Sequence, residues 1–194
     1  MSTTKRFTQE VVKWRPWVET VDDVGATPEQ AELVAKVAPN PDSRPYYATL
    51  AHDIPALQER TGLFNAIMYG HGGASRADRE FATVVPSRIN GCVYCASVHA
   101  RRYSQLTKDT ALVQRLLDEG VGAKFDEHEQ AIVDYAVKLT RDPEGLTPAD
   151  LAPLRQAGFA AAQILDIAYA TAMFAWANRL MQTLGESVLP EDGA

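Results

Sequence analysis

From Pro28 onward the apolar residues recur at helical spacing, and small polar residues fall where helices start and stop. Thr27-Pro28-Glu29-Gln30 reads as an N-cap, a proline at the first helical position and a capping-box partner. Thr147-Pro148-Ala149-Asp150 repeats that grammar, with Gly158 placed to stop a short helix. Ser75 with Asp78 opens a helix that carries Glu80, and Asp126 with Glu129 opens one whose face is Ile132, Val133, Ala136, Val137 and Leu139. Lys108 to Asp118 reads as helical, ended by "EGVG". No sustained period-two alternation bounded by hairpin turns is present, so the pattern predicts an all-α protein.

The last predicted helix runs from about Ala160 to Leu184, with Gly185 as its stop. It is crowded with alanines that allow close helix approach, and Phe159, Tyr169, Phe174 and Trp176 are expected to fill the gaps in a core or subunit interface. Residues 1–45 differ: "VKWRPWVETVDDVG" and "APNPDSRPYY" are rich in proline and acid. They read as an N-terminal arm that wraps the core or a neighbouring subunit, with Trp14 and Trp17 as packing points. Residues 46–194 then form one helical domain.

Composition changes this picture little. The 194 residues suffice for one substantial core. A net charge of −6 without a basic stripe argues against a nucleic-acid partner. The N-terminal "MSTTKRFTQEVVKW" has no apolar run of signal-peptide length, and Gln163, Asp166, Asn178 and Arg179 interrupt the most apolar stretch. A cytoplasmic protein with no membrane partner is expected, and two cysteines exclude a disulfide scaffold.

Those two cysteines carry the chemistry. In "NGCVYCASVHAR" a turn leads into a helix reaching about Gln105, with Asn90 as its candidate cap. Cys92, Cys95 and His99 occupy i, i+3 and i+7, within roughly 60° of one face, and the cysteine Cα atoms fall about 5 Å apart. That separation is compatible with a disulfide that opens and closes. The positive end of a helix favours the thiolate in its first turn, and an imidazole one turn on exchanges protons near neutral pH. Glu80, on the preceding helix, is placed to orient His99, giving a thiol–imidazole–carboxylate relay.

Other uses of the pair are less well supported. A structural disulfide would close only a four-residue ring. Zinc would need a fourth ligand from His52, His71 or His128. Haem attachment needs a histidine where Ala96 stands, and no βαβ context supports a thioredoxin-like site. No cofactor or metal is therefore expected. A reactive dithiol remains, acting on peroxides, on another protein's thiols, or as a redox switch without turnover.

Glu80, an eleven-residue gap, then Cys92-x-x-Cys95-x-x-x-His99 resembles the signature of the alkylhydroperoxidase D-like proteins of the carboxymuconolactone decarboxylase superfamily. "INGCVYCASVHA" and "LTRDPEGLTPADLAPLRQAGF" are similar to its peroxidase-related branch, and the likeness covers roughly residues 45–185. The resemblance implies an all-helical fold, trimers or hexamers, and reduction of hydroperoxides with an external dithiol as reductant. By position, Cys95 would be the peroxidatic thiol and Cys92 the resolving one, with Glu80 and His99 in the proton relay. The founding members have a second histidine where this chain has Tyr94, which on a regular helix points about 200° from Cys92 and is expected to pack. Pro86 is expected to kink or end the Glu80 helix. His71 reads as a loop residue, His128 as solvated and His52 as structural; Asp166 and Asn178 need partners if buried.

Overall fold

The computed structural model describes residues 5–190; residues 1–4, at the start of the expected arm, and 191–194 lie outside the described residues. The arm carries β1 (Lys13–Pro16), α1 (Val21–Val24) and α2 (Pro28–Val37) and runs into α3 (Arg44–Leu50), most of which lies beyond it. The helical body comprises α4 (Ile54–Tyr69), α5 (Arg76–Asn90), α6 (Val93–Thr107), α7 (Ala111–Glu119), α8 (Glu127–Arg141), α9 (Ala152–Gln156) and α10 (Ala161–Thr183). A short strand, β2 (Gly185–Val188), closes the chain. The all-α expectation holds, with one addition.

The caps explain the starts. Thr27 Oγ1 accepts from Gln30 N while Gln30 Oε1 accepts from Thr27 N, at 3.2 and 2.9 Å. Ser75 Oγ accepts from Asp78 N at 3.0 Å, and Asp78 Oδ2 accepts from the Ser75 hydroxyl at 2.7 Å. The Thr147–Asp150 box opens a 3₁₀ turn at Pro148–Leu151 that feeds α9, and Gly158 follows with φ 90°. Lys108 is not in a helix: it ends α6 in the left-handed region at φ 63°, so α7 starts three residues later than the pattern predicts.

Helix α5 is the centre of the body. Every residue from Arg79 to Ser87 is buried, and α6, α8 and α10 pack around it. Pro86 does not end this helix, which runs on to Asn90. The turn before the proline is reinforced by hydroxyls: Thr83 Oγ1 donates to Glu80 O at 2.7 Å and Ser87 Oγ to Thr83 O at 2.8 Å. Burial on all sides then outweighs the missing hydrogen bond.

The strands are the addition. β1 pairs antiparallel with β2, Trp14 opposite Ser187, tying the arm to the end of the chain. Trp14 is buried and its Nε1 donates to Met181 O at 2.8 Å, whereas Trp17 is 60% exposed. α10 ends with Leu184 as its C-cap, directly before Gly185 as expected, and Gly185 is also the first residue of β2: a Cβ there would lie 2.3 Å from the Trp14 ring. His52 also holds the arm, through a 2.9 Å contact of Nε2 with Glu19 O. Along α10, Phe174 is buried as expected, but Tyr169 and Trp176 are exposed rather than filling the core. They share an outer apolar face with Leu63 of α4. Among the described residues no single helix is long and apolar enough to cross a membrane.

Candidate active site

The cysteines sit at the junction of α5 and α6. Gly91 ends α5 with φ 76°, a conformation that suits glycine, and the chain turns directly into α6. Cys92 is the N-cap of α6, the place expected for Asn90, and Cys95 lies in its first turn. Asn90 remains in α5, where its Nδ2 donates to Asn178 Oδ1 at 3.1 Å. Both cysteines are free and buried, with the sulfurs 3.0 Å apart in a thiol–thiol hydrogen bond.

This contact makes the two sulfurs one acid–base unit. The hydrogen bond with Cys95 lowers the Cys92 thiol, helped by Asn178 and the charge of Lys5 and opposed by burial. The same bond raises Cys95 well above the ordinary thiol value, burial adds to this, and Asn178 and Arg60 act against it. The pair thus releases a first proton readily and holds the second.

Asn178 on α10 is fixed at this point by Ser87, to whose Oγ its Nδ2 donates at 3.1 Å. Asp166, the other polar residue of α10 in need of a partner, lies elsewhere: Oδ2 accepts from Arg79 Nη2 at 2.7 Å and from Ala74 N at 2.9 Å.

Glu80 and His99 meet across the α5–α6 packing. The Glu80 carboxylate is fully buried and its Oε2 is hydrogen-bonded to His99 Nδ1. Its other oxygen accepts from Arg76 Nε at 2.6 Å. Burial pushes the Glu80 carboxyl upward, but His99 and then Arg76 outweigh it and hold it below the ordinary value. The His99 ring stands edge-on to Phe174, centroids 4.2 Å apart, and Arg76 lies over the Tyr69 ring at 3.9 Å. Glu80 stands in the second turn of α5, ahead of Pro86, so the proline does not disturb its aim.

A pocket of about 480 Å³ brings these groups together: Cys95, His99 and Glu80 are on its wall and Cys92 is not. Tyr94, expected only to pack, also lines it, and its hydroxyl reaches Asp42 O at 3.4 Å. α3 supplies Tyr46, and α4 supplies Arg60. Neither residue was legible as part of a site, because no local pattern marks them. Arg76 was legible in principle, as the i−4 partner of Glu80 on one helix.

The remaining histidines stand apart. His71 is an exposed loop residue, and His128 is not simply solvated but contacts Asp78 Oδ1 at 2.8 Å and leans on Phe159. Among the described residues, no three His, Cys, Asp or Glu side chains are grouped to hold a metal ion.

The profile of the carboxymuconolactone decarboxylase family matches residues 55–108, the span of α4 to α6 that holds all four residues. An uncharacterized peroxidase-related protein from Silicibacter sp. TM1040 is 31% identical, with a TM-score of 0.67 over 75% of this chain and 77% of its own. The chain belongs to the carboxymuconolactone decarboxylase family. Within that family it shares the alkylhydroperoxidase D-like fold of a peroxidase-related protein from Ralstonia eutropha JMP134, at 24% identity and a TM-score of 0.74 over 94% of this chain and 95% of the other. The debrominase Bmp8 has the same fold at 16% identity, TM-score 0.68, over 94% of both chains. One fold therefore serves more than one reaction, and the site must decide between them. No curated protein matches this chain.

Proposed function

We propose that this protein is a thiol-dependent peroxidase that reduces organic hydroperoxides through Cys95 and Cys92. The observation that carries the reading is the pairing of a free, hydrogen-bonded dithiol with a Glu80–His99 pair on one pocket. Access supports Cys95 as the attacking sulfur, since it alone of the two lines the pocket. Electrostatics favours resting charge on Cys92. The two views are compatible because the proton lies between sulfurs in hydrogen-bond contact and access selects which one reacts.

The chemistry balances as follows. The Cys95 proton passes to His99, whose Nδ1 is held by Glu80, leaving Nε2 for the pocket. The thiolate attacks the terminal peroxide oxygen and the O–O bond breaks. The sulfur becomes a sulfenic acid, and the departing alkoxide takes the proton from His99 and leaves as an alcohol. The Cys92 thiolate then displaces hydroxide from Cys95, giving a disulfide, and the hydroxide takes a proton from solvent and leaves as water. An external dithiol returns both thiols by exchange and is itself oxidised to a disulfide. Buried Glu80 keeps its charge throughout and stabilises the imidazolium.

The exposed apolar face containing Leu63, Tyr169 and Trp176 supports a homo-oligomer, the assembly expected of a trimer or hexamer. The reaction is tested by exposing Cys92→Ser to cumene hydroperoxide with a sulfenic-acid trap. The adduct is expected on Cys95; an adduct absent from Cys95 overturns the assignment.

A further inference from the structure

The pocket holds more positive charge than the proposed reaction uses. Arg60, Arg101 and Arg102 all line it, and none forms an ion pair among the described residues. Of the pocket's two carboxylates, Glu80 is already engaged by Arg76 and His99, which leaves Asp42. This is a basic pocket in a chain of net charge −6.

Three of its polar atoms are buried without a hydrogen-bond partner: Arg60 Nε, Arg101 Nη1 and Tyr46 Oη. The arginine groups can only donate. Burial pushes the Tyr46 hydroxyl well above the ordinary tyrosine value, so it too is a proton-bearing donor at neutral pH. Tyr46 is 5% exposed and held edge-on by Trp14, ring centroids 5.5 Å apart. Arg60 is held over the Phe64 ring at 4.6 Å, with Nη1 donating to Tyr47 Oη at 3.1 Å. Unpaired buried donors are costly, and a ligand in the pocket that supplies the acceptors removes that cost. The same pocket is walled by Phe64, Phe174 and Met181.

We propose that the pocket binds an organic carboxylate, its anionic head held by Arg60, Arg101 and the Tyr46 hydroxyl and its apolar body laid along the aromatic wall. The substrate class that follows is a carboxylate-bearing organic hydroperoxide, with the peroxide presented to Cys95. Two arginines and a hydroxyl match the acceptor-only oxygens of a carboxylate. The substrate assignment rests on the peroxidase reading; the anion subsite does not.

The test is therefore binding to the reduced full-length protein without peroxide, by calorimetry at constant ionic strength. Octanoate is expected to bind at one site per chain, at least ~10-fold tighter than neutral octanamide or inorganic phosphate, which lack the charge and the chain respectively. Arg60→Gln and Arg101→Gln are each expected to weaken octanoate at least ~10-fold, and Tyr46→Phe several-fold, each checked for an unchanged circular dichroism spectrum. Octanoate and octanamide binding alike, or octanoate affinity unmoved by Tyr46→Phe and by every arginine variant that folds, overturns the subsite. Carboxylate binding in a protein inert to hydroperoxides would leave the subsite standing and remove only the reaction.

Discussion

The carboxylate of Glu80, fully buried in α5, is hydrogen-bonded to Nδ1 of His99 on α6, so the two helices meet through a charge-bearing contact. Such a contact is strongly conditional on pH and on both partners.

Glu80→Gln is expected to cost about 3–5 kcal/mol, because it strips the negative charge that balances Arg76. The sign of the pH effect follows from the direction of the Glu80 shift. Its folded value lies below the ordinary 4.5, so its contribution is complete above that pH and is lost as pH falls through the folded value. Chemical denaturation of wild type and Glu80→Gln across acid pH should show the wild type losing its advantage in that window. An advantage that persists to the most acid pH would contradict the account.

The thiol contact predicts opposite responses in two single variants. Cys92→Ala removes the bond and the charge that raise Cys95, so the Cys95 thiol should titrate lower than in wild type. Cys95→Ala removes the hydrogen-bond partner that lowers Cys92, so Cys92 should titrate higher. The pH dependence of alkylation rates reads both. Shifts in the same direction would mean that the sulfurs do not act as a unit.

These relationships were unequally visible in the sequence. Cys92, Cys95, His99 and Glu80 were legible because three lie within eight residues and the fourth at a helical spacing that the α5–α6 turn folds back. The caps at Thr27 and Ser75 were legible for the same local reason. Tyr46, Arg60 and the β1–β2 pair were not, since each depends on contacts between distant parts of the chain and β1 is only four residues long. That α5 runs on past Pro86 was not legible, because the local rule about helix interiors is offset by burial of the residues around the proline. Tyr94 misled because Cys92 is a cap residue, outside regular helical geometry, so angles counted from it do not apply.

Asn178 joins the cysteines to α5 and should matter for both stability and thiol chemistry. Asn178→Ala leaves Ser87 and Asn90 without this partner and is expected to cost about 1–3 kcal/mol. It should also raise the pH at which both thiols react, because Asn178 favours both thiolates. Denaturant midpoints and alkylation profiles on one preparation check the pair of effects.

The arm should be a structural part of the site. Trp14 is 3% exposed and supports Tyr46, so Trp14→Ala is expected to destabilise the protein by about 3–5 kcal/mol. Gly185→Ala should destabilise through the same ring, since its Cβ would also lie 2.5 Å from Arg15 O. Equilibrium unfolding of both variants tests whether the arm and β2 form one clamp. Wild-type stability in either variant would show that they do not.

The central claim is that Cys95 is an activated peroxidatic thiol, and the most direct measurement is the rate at which the reduced protein is oxidised by cumene hydroperoxide under single-turnover conditions. The account predicts oxidation at least ~100-fold faster than that of a free thiol, lost in Cys95→Ser and preserved in its first step in Cys92→Ser. Oxidation at the free-thiol rate, or a fast rate that survives Cys95→Ser, would contradict it.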